Sequence, residues 1–153
     1  GIVVFKLLSI IRPDKTYFGQ KDAQQCLVVQ KLNADLNLGT KIVIIPTVRE
    51  KNGLAISSRN IYLSPKERKD ATLLYKSLQL ASEMWQQNIF DAGIIKKQMT
   101  DLVEKSPLIN IEYVSVSDPI TLEELNLISK GALVSIAATV GKARLIDNIR
   151  LGA

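Results

Sequence analysis

Apolar positions along this chain come in two kinds of pattern, and the change between them divides the sequence. Val3 to Ile11 is an apolar stretch read as a helix. It ends before Arg12-Pro13, because a residue that precedes proline avoids helical geometry. Thr16-Tyr17-Phe18 is a short β-prone run closed by Gly19. From Lys21 to Asn37 the spacing is helical, with Val28, Leu32 and Leu36 predicted on one buried face, Cys26 and Val29 alongside, and Gly39 suited to the stop. Ile42 to Ile45 is a continuous β-branched run, the pattern of a strand buried on both faces of a parallel sheet, and Pro46 ends it. Helix, strand, helix, strand is the rhythm of a doubly wound α/β domain, in which ligands sit beyond the carboxyl ends of the strands. Gly19-Gln20-Lys21-Asp22 and Thr47-Val48-Arg49 each follow a strand and are expected at that edge.

The remainder changes character. Asn52-Gly53 is a turn signal. Ser64-Pro65-Lys66-Glu67 combines an N-cap serine, a proline at the first helical position and the glutamate of a capping box. The helix it opens is predicted to run to about Gln87 and to bury Ala71, Leu74, Leu78, Ala81 and Trp85. Asp91 is read as the cap of a further helix to about Lys105, using Ile95, Met99 and Leu102. A strand follows from Ile109 to Val116, and Thr121-Leu122-Glu123-Glu124 is predicted to cap a short helix. Leu133–Val140 and Ala143–Leu151 form two strands joined at Gly141-Lys142, a hairpin signal. The fold class is therefore α/β: a partial Rossmann-like parallel-sheet segment over residues 1–60, then a small α+β domain with antiparallel strands over 61–153.

Composition narrows the function classes. The chain has 153 residues, 46% of them hydrophobic, which suits a packed core and not general disorder. Net charge is +5, but the basic residues are dispersed and do not form the clustered patch of a nucleic-acid binder. Aromatic content of 5% also argues against base stacking. A single cysteine, Cys26, excludes a disulfide framework or a cysteine zinc site within the chain and reads as a small buried hydrophobe. The sequence has no histidine, so the usual general base and commonest metal ligand are absent. No apolar run reaches membrane-spanning length, and a reducing, cytoplasmic setting is the default expectation.

Two stretches carry candidate chemistry. In Gly19-Gln20-Lys21-Asp22, a glycine between strand and helix lets a ligand approach the backbone, Lys21 offers a mobile positive charge to phosphate, and Asp22 can accept ribose hydroxyls. A tight turn with Asp22 as N-cap and Lys21 solvated accounts for the same residues. Ser57-Ser58-Arg59 combines two hydroxyls and a guanidinium, a set that suits a polyphosphate; a polar interdomain loop, capped or braced by Asn60, is the other reading. Gln24 and Gln25 lie one turn into a helix, facing either ligand or solvent. Arg49-Glu50 is open to reading as a structural ion pair. Neither a dinucleotide-binding Gly-x-Gly-x-x-Gly nor a P-loop signature is present, and acidic residues show no metal-ligand spacing.

The run Arg12-Pro13-Asp14-Lys15-Thr16-Tyr17-Phe18-Gly19-Gln20-Lys21-Asp22-Ala23-Gln24-Gln25 resembles the Pro-Asp-x-x-Tyr-Phe-Gly-x-Lys-Asp-x-Gln-Gln signature of the pantothenate synthetase (pantoate–β-alanine ligase) family. Pro46-Thr47-Val48-Arg49-Glu50, Gly53-Leu54-Ala55, Ser57-Ser58-Arg59-Asn60 and Tyr62-Leu63-Ser64 follow in that family's order and spacing. Ala143-Arg144-Leu145-Ile146-Asp147-Asn148 resembles its closing strand. The resemblance covers essentially the whole chain. It implies an ATP-dependent ligase on the route to coenzyme A that joins D-pantoate to β-alanine through a pantoyl adenylate. It also implies Mg²⁺ accompanying ATP, and a homodimer. By the same resemblance Gly19, Gln20, Lys21 and Asp22 line the ATP site, Val48 meets adenine through its backbone, and Ile56, Ser57, Ser58 and Arg59 grip the triphosphate. Lys21, Ser57, Ser58 and Arg59 would be the catalytic set, and Gln25 matches a pantoate-binding glutamine. Ile56 stands where the family often has methionine.

The sequence departs from the family in what it lacks. A His-x-Gly-His type motif, a second pantoate-binding glutamine and an acidic metal-binding cluster belong to the family's N-terminal half, and none is present here. The chain is therefore expected to be a C-terminal portion that includes the small lid domain, inactive alone, with metal ligands outside it. A non-catalytic, dimerising interaction module is the alternative.

Overall fold

The computed structural model describes residues 1–152. The chain divides into two compact units, Gly1–Thr47 and a second beginning at Val48; residues 48–60 group by compactness with the second.

In the first unit, α1 (Ile2–Ile11) precedes β1 (Lys15–Gly19), a single 3-10 turn (Gln20–Asp22), α2 (Ala23–Asp35) and β2 (Lys41–Ile45). Arg12 closes α1 in the left-handed region, its N–H donating to the Leu8 carbonyl. The strands pair in parallel, Lys15 opposite Lys41 through Gly19 opposite Ile45. This matches the expected βαβ rhythm.

Two expectations fail in this unit. The centre of β2 is half-buried and its ends are exposed, because a two-stranded sheet leaves much of its surface uncovered. The buried face of α2 carries Cys26 and Val29, whereas Val28 is 46% and Leu36 50% exposed. Apolar residues occupy several faces of α2, so spacing alone selects none of them. The Cys26 thiol donates to the Gly19 carbonyl at 3.3 Å, which turns its own face toward the strand.

The second unit builds a layer of helices on an antiparallel sheet. It contains a 3-10 segment (Ser58–Tyr62), α3 (Pro65–Asp70), α4 (Thr72–Gln86), α5 (Ala92–Val103), β3 (Ile109–Ser117), β4 (Ala132–Val140) and β5 (Ala143–Leu151), with sheet order β3-β4-β5. Leu74, Leu78 and Ala81 of α4 meet Ile95, Met99 and Val103 of α5 over Val116, Val134, Ile136 and Val140 of the sheet. The capping box forms as expected: Ser64 Oγ accepts the Glu67 N–H, and the Glu67 carboxylate accepts the Ser64 N–H. Asp91 caps α5 through the Ile94 N–H.

The single helix expected from Ser64 to Gln87 is broken at Ala71 into α3 and α4. There the Thr72 hydroxyl donates to the Lys69 carbonyl at 2.7 Å, a local bond that competes with the helical ladder. Met84 and Met99 are buried as expected of core residues, whereas Trp85 is only half-buried and packs against the edge of that core. On α5 Val103, not Leu102, completes the buried stripe.

The short helix expected at Thr121–Glu124 does not form. The Asp118 carboxylate accepts the N–H groups of Ile120 and Thr121, each at 2.8 Å, and Leu122 adopts φ 65°. This side-chain-closed loop satisfies the backbone locally, and so short a run is too costly to nucleate as helix. The β4–β5 hairpin turns at Gly141-Lys142 as predicted. Gly141 has φ 56°, and a Cβ there would stand 2.0 Å from a Glu67 carboxylate oxygen.

Candidate functional site

In the first unit, parallel pairing brings the carboxyl ends of both strands, Gly19 and Ile45, to one edge. Gly19 is extended (φ −76°, ψ 131°), and a Cβ added to it would meet nothing within 4 Å. Neither backbone strain nor packing within the chain requires a glycine there. The 3-10 turn Gln20–Asp22 leads directly into α2, with Gln20 and Lys21 half-buried. Asp22 occupies the N-cap position of α2, yet its side chain makes no capping hydrogen bond and is exposed. Gln24 and Gln25 are exposed in the first turn.

In the second unit, residues 48–56 form a small two-stranded arm. The Ile56 N–H donates to the Val48 carbonyl at 2.9 Å, Arg49 bridges Ala55, and the Glu50 N–H donates to the Leu54 carbonyl at 2.8 Å. The turn closes at Gly53, whose φ of 93° favours glycine and whose N–H donates to the Glu50 carbonyl. Val48 and Ile56, opposite each other, are 64% and 54% exposed. Ser57 follows and caps the 3-10 segment, its Oγ accepting the Arg59 N–H at 3.2 Å. Ser58 and Arg59 are exposed, and Arg59 Nη1 donates to the Arg144 carbonyl of β5 at 3.0 Å. Val48, Ile56, Ser57, Ser58 and Arg59 are thus gathered on one arm and its continuation.

The arm is anchored on both faces, since successive strand residues point to opposite sides. On one side, Arg49 grips Asp147 of β5 through both guanidinium nitrogens (2.5 and 2.9 Å), donates to the Gly53 carbonyl at 3.1 Å, and lies 3.9 Å from the centroid of the Tyr75 ring. On the other, Glu50 pairs with Arg68 of α3 and accepts from Asn60, whose amide also donates to the Ala55 carbonyl. The hydrogen bond from Arg68 holds the Glu50 carboxyl below its usual value; its charge and bonds from Asn60 and Asn52 add to this, and burial opposes it. Arg49 and Glu50 therefore do not pair with each other, correcting that reading of the sequence, and Asn60 braces the loop.

Asp147 and Tyr75 were not singled out from the sequence. Asp147 did leave a signal: in β5, Ala143, Leu145 and Asp147 alternate onto the buried face, and a carboxylate where alternation calls for an apolar residue demands a cation. Nothing local identified Arg49 as that cation. Among the described residues no group of three or more Cys, Asp or Glu could hold a metal ion. No helix among the described residues is long and apolar enough to cross a membrane.

The family described as pantoate-beta-alanine ligase matches residues 1–150. A pantothenate synthetase of Pelotomaculum thermopropionicum is 45% identical over 150 residues, covering 98% of this chain and 53% of that protein. One from Caldicellulosiruptor bescii is 48% identical over 147 residues, covering 96% and 52%. Among solved structures, pantothenate synthetase from Thermus thermophilus superposes with a TM-score of 0.91 at 38% identity, over 96% of this chain and 53% of that one. A pantoate-beta-alanine ligase from Francisella tularensis, complexed with beta-gamma ATP and beta-alanine, gives 0.67 at 27% identity, over 98% and 48%. This chain spans about half the length of the relatives it matches.

Proposed function

Since the chain belongs to the pantoate–β-alanine ligase family, we propose that it supplies one wall of the active site of an ATP-dependent ligase that makes pantothenate from D-pantoate and β-alanine. The pantoate carboxylate attacks the α-phosphorus of ATP. The bond to the bridging oxygen breaks, and pyrophosphate leaves with its electron pair. The β-alanine amine then attacks the acyl carbon of the pantoyl adenylate, AMP departs, and the amine proton passes to solvent. No covalent enzyme intermediate is required, so this chain's residues act by positioning and by stabilising phosphate charge.

In this reading Lys21 and Arg59 neutralise phosphate oxygens, and Ser57 and Ser58 donate hydrogen bonds to them. Gly19 and Gln20 admit the nucleotide against the backbone, Asp22 accepts ribose hydroxyls, and Gln25 binds pantoate. Val48 and Ile56 flank adenine and the start of the phosphate-gripping loop. Mg²⁺ arrives with ATP. Residues 61–153 belong to a small lid domain and residues 1–60 to a Rossmann-like domain, in a cytoplasmic homodimer.

The observation that carries this reading is the arm: five of the assigned residues are gathered on one anchored element. Gly19 adds support, because open space lies where its side chain would be. The test is titration with ATP while thermal stability is followed. A rise in melting temperature supports the reading, and no effect at millimolar ATP rejects it for this chain. The chain alone is expected not to form AMP from pantoate, β-alanine and ATP at full-length rates, because it has no histidine; such rates would overturn that expectation.

Exposed apolar residues on α1 favour a second reading, a dimerising interaction module. Ile2, Val3, Ile10 and Ile11 are each at least 66% exposed. A monomer by sedimentation at high concentration, together with an ATP response, would reject it.

A further inference from the structure

We propose that Arg49 is a positioning residue for nucleotide binding: locked to Asp147 and stacked on Tyr75, its guanidinium holds the arm so that Ser57, Ser58 and Arg59 are presented in one fixed geometry. The proposal rests on the reading of that arm as the phosphate-binding element.

Two arginines flank the arm, and their surroundings assign them different work. Arg59 is exposed and makes one bond to a main-chain carbonyl. The Arg49 side chain is 17% exposed, and Asp147, Tyr75 and the Gly53 carbonyl engage it, so it is committed within the protein. Both of the Asp147 oxygens are taken by Arg49, and one also accepts the Asn148 N–H, so the carboxylate is itself committed within the protein. The contacts also join parts of the unit far apart in sequence. The Gly53 carbonyl fixes the tip of the arm and Asp147 fixes β5. Arg59 at the other end of the loop donates to Arg144 of the same β5. The loop is held to a single strand at both ends, and lysine, a point charge without a planar fork, cannot reproduce the Arg49 end.

The test uses the 153-residue chain with Arg49→Lys and Asp147→Asn, and with Lys97→Ala as a surface control. Amide hydrogen exchange and ATP titration are measured on each. Exchange at Glu50 and Ile56, whose N–H groups close the arm, is expected to accelerate about tenfold or more in both variants, while β4–β5 amides stay protected. The apparent ATP dissociation constant rises about tenfold with unchanged occupancy at saturation, and the control matches the parent. Unchanged exchange at Glu50 and Ile56 overturns the proposal. So does faster exchange with unaltered ATP affinity, which would make Arg49 merely structural. If the parent chain binds no ATP, the nucleotide reading fails, and the exchange data alone then decide whether Arg49 holds the arm.

Discussion

Arg49 and Asp147 stand 98 residues apart in sequence and meet as a two-pronged, largely buried ion pair. Truncating one partner leaves the other charge unpaired in a desolvated site. Arg49→Met or Asp147→Leu alone should therefore destabilise the protein by about 3–5 kcal/mol. The double variant should recover most of that loss, because apolar side chains of similar volume need no partner. Urea unfolding of the four proteins measures the cycle, and additive losses in the double variant would contradict this account.

Gly53 sits under the same cluster. Its φ is 93°, and a Cβ would fall 2.3 Å from Tyr75 Cδ1. Gly53→Ala should cost about 1–3 kcal/mol from backbone strain and push the ring from beneath the guanidinium. A variant that unfolds at the parent's urea midpoint would show that the turn tolerates a side chain.

Acid should loosen the other anchor. Arg68 lowers the Glu50 carboxyl from its ordinary 4.5, and the Ser64 backbone N–H lowers Glu67 likewise. A carboxyl lowered in the folded state stabilises fully above its unfolded value. That contribution disappears as pH falls through the lowered folded value. Stability should thus be flat in this respect near neutrality and decline below pH 4.5. Glu50→Gln should flatten the decline in urea midpoint against pH; an identical slope in that variant would remove Glu50 from the explanation.

Lys21→Ala and Arg59→Ala should each weaken ATP binding by about tenfold to a hundredfold, the worth of a charge-assisted hydrogen bond. Calorimetry reads the affinity, and for Arg59 little change in melting temperature is expected because the side chain is exposed. Parent-like affinity in either variant would strike that residue from the site.

How much of this was legible from the sequence depended on how local the physics is. The Ser64 capping box, the Asp91 cap and the Gly141-Lys142 hairpin were legible because each is decided within three or four residues. The parallel pairing of β1 with β2 followed from the helix between two β-prone runs. Cys26 was read correctly as a buried hydrophobe, but Val28 and Leu36 were placed wrongly because apolar residues ring α2, and the Cys26 bond to the strand end turns a different face inward. Thr121–Glu124 was misread because an aspartate outside the motif, Asp118, closes the loop.

The sequence by itself determined the order of the strands and of the main helices, the Ser64 and Asp91 caps, the Gly141-Lys142 turn, and the family, because each is encoded by neighbouring residues or by motifs in register. It also named Val48, Ile56, Ser57, Ser58 and Arg59 as candidates. Only the tertiary structure decided what holds them. Asp147 reads locally as a charge misplaced in an apolar strand, and Arg49 as half of a pair with Glu50. Folding brings β5 against the arm and gives Arg49 to Asp147 and Glu50 to Arg68. A buried charge takes the partner that geometry brings within hydrogen-bonding reach, and separation along the chain carries no information about that distance.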